Sequence, residues 1–198
     1  MSTSKYAGQQ ELLKVVRDEV TERPRVAIIG AQGRCGSGAH EMLRAFGLEN
    51  DEMALWDVEE TRKGGPFPEL VRDYDIVINC ILLSSDVDAA FVTREMIQPA
   101  ADRRLSVLVD VSCDPDAKNN PFPVYSDCTT FDDPVERGPE GLDVIAIDHL
   151  PSLLPVEASV SFCESLLPHL IDLRKSRRPN WERCVELFKA KLAEAKEE

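Results

Sequence analysis

The run Arg25-Val-Ala-Ile-Ile-Gly-Ala-Gln-Gly-Arg-Cys-Gly-Ser-Gly-Ala39 limits the folds open to this chain more than any other stretch. Val26, Ala27, Ile28 and Ile29 suit a strand buried on both faces, and Gly30, Gly33, Gly36 and Gly38 come at once after it. From Ser37 onward the apolar residues Ala39, Met42, Leu43 and Phe46 recur at helical spacing, and Gly47 stands where a helix would stop. The order is strand, glycine loop, helix. Residues without side chains let a diphosphate approach such a loop closely, and the unpaired amides and dipole of the helix N-terminus favour its negative charge.

The spacing Gly30-x-x-Gly33-x-x-Gly36 is a variant of the dinucleotide fingerprint, and the next strand adds weight to it. Met53 to Trp56 read as that strand, and Asp57 stands at its end, near the offset of roughly 20 residues at which an acid binds the adenosine ribose. A carboxylate there accepts hydrogen bonds from both ribose hydroxyls and repels a 2′-phosphate, which makes NAD the expected cofactor. The plainer reading of Asp57 is a solvated acid opening the turn Asp57-Val-Glu-Glu60.

A chain of 198 residues has room for one sizeable α/β unit with helical extensions. Its formal charge of −13, from 36 acids against 23 bases, argues against sequence-independent nucleic-acid binding, with Lys175, Arg177 and Arg178 a small local exception. No apolar stretch approaches the roughly 20 residues of a membrane span and no signal-peptide core opens the chain, so a cytoplasmic protein with no membrane partner is expected. The cysteines at 35, 80, 113, 128, 163 and 184 have neither Cys-x-x-Cys spacing nor the pattern of a secreted framework, and no metal is expected. Cys35 in the glycine loop and Cys80 at a later strand end fall on one sheet edge. They are either two thiols in a reducing compartment or a disulfide across the loop.

Taken in order, residues 1–8 look mobile, and Gln9 to Val20 carry Leu12, Leu13, Val15, Val16 and Val20 at helical spacing. Thr61 to Pro68 reads as a loop and Asp75 to Cys80 as a buried strand whose exit, Ile81 to Ser85, places Ile81 and Leu82 beside a ligand. Phe91 to Ile97 suggests a crossover helix. Leu105 to Val111 is a further strand, after which Ser112, Cys113 and Asp114 either face ligand or, at Asp114-Pro115, open an ordinary turn. Leu142 to Ile147 is a strand leading to Asp148 and His149, the latter either a structural histidine or a proton-transfer group. His40 and His169 read as structural. Glu157 to Leu173 and Trp181 to Lys196 read as long helices. The alternation implies a Rossmann-like, doubly wound, mainly parallel sheet with helices on both faces and terminal helical extensions. Its expected parts are residues 1–22, a dinucleotide-binding region over 23–173, and a C-terminal helix over 174–198.

Several blocks go further: Gly30 to Ala39, Trp56-Asp57, Gly64 to Phe67, Ile78 to Ile81, Val109 to Ser112 and Ile147 to Pro155. Together, from about Arg23 to Leu173, they resemble the NAD-dependent, lysine-forming saccharopine dehydrogenases of the fungal aminoadipate pathway. The resemblance implies oxidation of saccharopine by NAD and water to lysine, 2-oxoglutarate and NADH through an imine, a reaction that needs a base to keep the amine neutral. It also implies an N-terminal domain, carrying the acid-base residues, as the partner of a cofactor half. No catalytic residue is assigned here. By the same resemblance Gly33 and Arg34 hold the diphosphate, Asp57 the ribose and Thr61 its surroundings; Leu82 and Val111 line the cleft. Ser112, Cys113 and Asp114 face substrate, and Ile147, Asp148, His149 and Leu150 lie around the nicotinamide. The competing reading is a stand-alone NAD-binding or NAD-sensing module without turnover.

Overall fold

A four-residue run as apolar as Val26–Ile29 needs neighbours on both edges and both faces, and it has them: every residue of this strand, β1, is buried. A computed structural model describes residues 5–82, 90–97, 102–174 and 179–197. The expectations for residues 1–4, for the strand exit over 83–85 and for Lys175, Arg177 and Arg178 lie outside the described residues. The chain divides into two compact units, Met1–Leu153 and Leu154–Glu198.

In the first unit β1 pairs in parallel with β2, Met53–Trp56, on one side and β3, Ile76–Asn79, on the other. Beyond β3 come β4, Val107–Asp110, and β6, Asp143–Ile145, both parallel, while β5, Glu136–Arg137, is an antiparallel edge. The order is β2-β1-β3-β4-β6-β5, a six-stranded Rossmann-like sheet. The winding reverses between β1 and β3, so a crevice opens above their carboxyl ends.

Alternating side chains feed two cores. Ala27 and Ile29 meet Leu70 and Val71 of α4, Pro68–Arg72, together with Phe122, while Val26 and Ile28 meet Leu43 and Phe46 of α2, Arg34–Phe46. Helices thus cover both faces, and burying Ile28 and Ile29 completely contributes about 1.5–3 kcal/mol each. The first helix, α1, Gln9–Glu19, buries Leu13, and its Arg17 guanidinium donates to the carbonyls of Ala45 and Phe46 at the negative end of α2. Arg23 extends this clasp by pairing with Glu52 at 2.7 Å.

Three local expectations are corrected. Residues 91–97 form no crossover helix: the amides of Phe91 and Val92 both donate to the Pro121 carbonyl, and only a 3-10 turn, Arg94–Ile97, remains. The stretch 61–68 is a loop only in its middle, because α3, Val58–Thr61, ends in it and α4 begins at Pro68, the favoured residue for a first helical position. Helix α2 starts at Arg34, three residues before the apolar periodicity is visible, so Gly36 and Gly38 are helical.

Those two glycines give a sharp contrast. A Cβ on Gly36 would lie 2.2 Å from the Gly30 carbonyl oxygen and 2.7 Å from Ala31 Cα, both rigid backbone, whereas one on Gly38 would meet nothing within 4 Å. Gly38→Ala should therefore gain most of the helix-propensity difference, about 0.5–1 kcal/mol. Gly36→Ala should lose about 2–3 kcal/mol as the helix is forced off the loop. Urea unfolding midpoints of the two variants check the opposite signs; equal shifts would mean that α2 does not seat on the loop this closely.

The second unit contains α5, Pro155–Asp172, and α6, Pro179–Glu197. Trp181 Nε1 donates to the His169 carbonyl at 2.8 Å and Asn180 Nδ2 lies 2.9 Å from His169 Nδ1, which gives His169 a structural role.

Candidate functional site

Parallel strands deliver their outgoing loops to one edge. Gly30–Gly33 after β1, Asp57 after β2, Ile81–Leu82 after β3, Val111–Asp114 after β4 and Ile147–Leu150 after β6 therefore share the carboxyl edge of the sheet.

At the centre, Gly30 takes φ +77°, and its amide and that of Ala31 donate to the Trp56 carbonyl at 2.9 and 3.0 Å, tying the loop to the end of β2. Gly33 is the N-cap of α2, and no side chain caps that terminus. The first-turn amides of Arg34, Cys35 and Gly36 lack helical acceptors by their position, and Arg34 is exposed among them. An exposed glycine cap, free amides and an arginine fit a diphosphate.

Asp57 caps α3 and braces the loop. Its Oδ1 accepts from the Val58 amide and its Oδ2 from the Gln32 amide, each at 2.9 Å, while its own amide donates to Glu60 Oε2 at 2.7 Å. The carboxylate also accepts from the Glu60 amide, completing a capping box, and one of its roughly four lone-pair sites remains for a ribose hydroxyl, so the turn-opening acid and the ribose acceptor are compatible roles for one residue. Thr61 is committed locally, its hydroxyl donating to the Asp57 carbonyl at 3.0 Å.

Beyond the loop, Leu82 is 90% exposed and Val111 half-buried, the latter's amide donating to the Asn79 carbonyl at 2.9 Å. The Ser112 hydroxyl turns toward the protein, donating to the Ile81 carbonyl at 2.6 Å and accepting from Asn79 Nδ2 at 3.2 Å. Cys113 has φ +53°, and its thiol is pushed up to about 12, by burial first and then by Asp110, Cys128, Asp148 and Asp114. Asp114 is exposed and opens a turn closed by the Ala117 amide at 3.2 Å. Ile147 is buried, with Asp148 and His149 exposed just past it, their Oδ2 and Nε2 3.5 Å apart, and Leu150 starts a 3-10 turn. The parallel pairing of β4 with β6, Val109 beside Ile145, sets the ends of these strands next to one another.

The groups under these loops stand in the blocks Ile78 to Ile81 and Val109 to Ser112 without a motif that assigns them a role. Asn79 and Asp110 are 0% and 1% exposed, and Asp110 accepts from Asn79 Nδ2 at 2.9 Å, the Ser112 amide at 3.0 Å and the Tyr125 hydroxyl at 2.9 Å. Burial, then Asp110, holds the Tyr125 hydroxyl far above its usual range, so it stays a donor. The available signal was polar residues at the ends of two apolar runs.

All six cysteines are free thiols. Cys80 is pushed up to about 12, by burial, then by the neighbouring Cys35, then by Asp110, and Cys35 is exposed. At pH 8 only about one Cys80 in 10⁴ is then a thiolate. Iodoacetamide at that pH should label Cys35 and spare Cys80, as read by peptide mass spectrometry, with Cys80 labelling emerging only under unfolding conditions; prompt labelling of Cys80 in the folded protein would contradict its burial. Among the described residues no group of three or more His, Cys, Asp or Glu is arranged to hold a metal ion, and no helix is long and apolar enough to cross a membrane.

The family described as alanine dehydrogenase/PNT, C-terminal domain, matches residues 59–192. The chain is 43% identical over 203 residues to a saccharopine dehydrogenase (NAD(+), L-lysine-forming) of Emericella nidulans, covering 95% of this chain and 54% of that one. Against the same-named protein of Candida glabrata it is 45% identical over 207 residues, covering 98% and 55%. It is 43% identical over 198 residues to that of Yarrowia lipolytica, covering 93% and 53%. The chain thus spans about half the length of the curated relatives it matches.

Proposed function

Because the chain belongs to the alanine dehydrogenase/PNT C-terminal-domain family, we propose that it is the NAD-binding half of a lysine-forming saccharopine dehydrogenase. The observation that carries this reading is the uncapped glycine start of α2 standing beside Asp57 at the switch between β1 and β3. The names of the relatives supply the substrate and the direction of the reaction.

Gly33 and the first amides of α2 bind the diphosphate, Arg34 adds a positive charge, and Asp57 takes the adenosine ribose. Ile81, Leu82 and Val111 bound the cleft on its far side, with Cys113, Asp114, Asp148 and His149 at its mouth. When bound, the nicotinamide supplies a hydride acceptor for the carbon beside the secondary amine of saccharopine. The residues of this chain orient that cofactor; a second, N-terminal domain supplies proton transfer and most of the substrate contacts. Free thiols at all six cysteines support a reducing, cytoplasmic setting for this lysine-forming role. Fluorescence titration with NADH and NADPH tests the cofactor assignment: NADH preference supports it, and equal or tighter NADPH binding overturns it.

A further inference from the structure

A carboxylate as buried as Asp110 is costly unless donors surround it, and an apolar pair would pack β3 against β4 without that cost. What an apolar pair lacks is direction. Asn79 and Asp110 are in-register neighbours and the last residues of their strands, so the bonds they make set how both outgoing segments leave the sheet. Asp110 Oδ1 takes the Asn79 side chain and the Ser112 amide together, Tyr125 fixes Oδ2, and the Ser112 hydroxyl closes the set onto the Ile81 carbonyl. The segments after β3 and β4 are thereby locked to one another, and no buried side-chain nitrogen or oxygen among the described residues is left without a partner.

The position of this lock in the crevice gives it a role. A dinucleotide with its adenosine ribose at Asp57, after β2, and its diphosphate at Gly33, after β1, has only the ends of β3 and β4 left for its other half. The glycine loop abuts that region directly, since a Cβ on Gly30 would lie 2.9 Å from the Cys80 carbonyl oxygen. We infer that Asp110, with Asn79, Ser112 and Tyr125, is a positioning network for the nicotinamide half of the cofactor, holding Ile81 and Val111 at the spacing that admits the ring. This role rests on the proposed binding of a dinucleotide in the crevice. It also gives Ser112 a different task from direct substrate contact, because its hydroxyl is spent on Ile81.

The test compares Tyr125→Phe and Ser112→Ala with the unaltered chain for binding of NADH and of ADP-ribose, which lacks the nicotinamide, by fluorescence and calorimetric titration, with melting temperature recorded alongside. Each variant removes one hydroxyl, so NADH affinity is expected to fall roughly fivefold to tenfold while ADP-ribose affinity stays within about twofold. A lower melting temperature with both affinities unchanged would make the network structural only and overturn the inference, as would equal weakening of both ligands. Failure of the unaltered chain to bind either ligand would instead overturn the dinucleotide reading and this inference with it.

Discussion

NADH should bind the purified chain at least about tenfold more tightly than NADPH, and Asp57→Ala should weaken NADH roughly 30-fold or more while leaving NADPH far less affected. The carboxylate is held in one orientation by the Val58 and Gln32 amides and by the Glu60 contact to its own amide, so little ordering cost remains when a ribose arrives. A hydrogen bond from a ribose hydroxyl to this charged acceptor is worth about 1.5–3 kcal/mol, and the same charge set against a 2′-phosphate costs a comparable amount, reduced by solvent. Arg62 and Lys63, both exposed just past α3, work in the opposite direction by offering a phosphate two cations. Which effect wins is decided by geometry: Asp57 is fixed at the loop, whereas the two cations are on flexible side chains that lose entropy on binding. Since Asp57 also braces the loop, Asp57→Ala should lower the melting temperature as well. A variant that loses stability while NADH and NADPH weaken by the same factor would reduce Asp57 to a brace.

The unit from β1 through α2 to Asp57 was legible because its signals are local: an apolar run, glycines, and helical periodicity within one stretch of chain. The strand exits at Ile81, Ser112 and Asp148 were legible for a related reason, since parallel strands send every exit to one edge once their order is known. What the chain hid depends on pairing. Asn79 meets Asp110 only because β3 and β4 align with those residues side by side, and Tyr125 reaches Asp110 from an irregular segment between β4 and β5 that carries no periodic signal. The same limit misplaced the helix expected over 91–97, where Phe91 and Val92 are buried as a helix would bury them but are held by the distant Pro121 carbonyl. At Ser112 the residue was singled out and its hydroxyl's direction was not, because the Ile81 carbonyl that takes it is fixed by the sheet.

With saccharopine and NAD supplied, the 198-residue polypeptide alone should turn over at least about 100-fold more slowly than a full-length relative, even with the cofactor bound as proposed. Two requirements set this gap. Hydride transfer needs the donor carbon held within roughly 3–3.5 Å of its acceptor, and a chain of net charge −13, with Asp114 and Asp148 exposed at the mouth of the crevice, holds a substrate with three carboxylates poorly. The amine must also lose a proton to a base. His149 is the nearest candidate in kind, yet its side chain is 80% exposed and faces Asp148 at 3.5 Å, open to water instead of enclosed against a substrate. His149→Ala should therefore leave the residual turnover within about threefold, since a positioned acid or base is worth a hundredfold or more when it takes part. Addition of the N-terminal half of a relative such as the Emericella nidulans protein should raise the rate if the halves dock, and the gain should require Asp57, because the cofactor would still sit on this chain. Steady-state rates of NADH formation, with and without that half, decide the matter. Full-rate turnover by the chain alone, abolished by His149→Ala, would move the catalytic base onto this half and overturn the division of labour proposed for it.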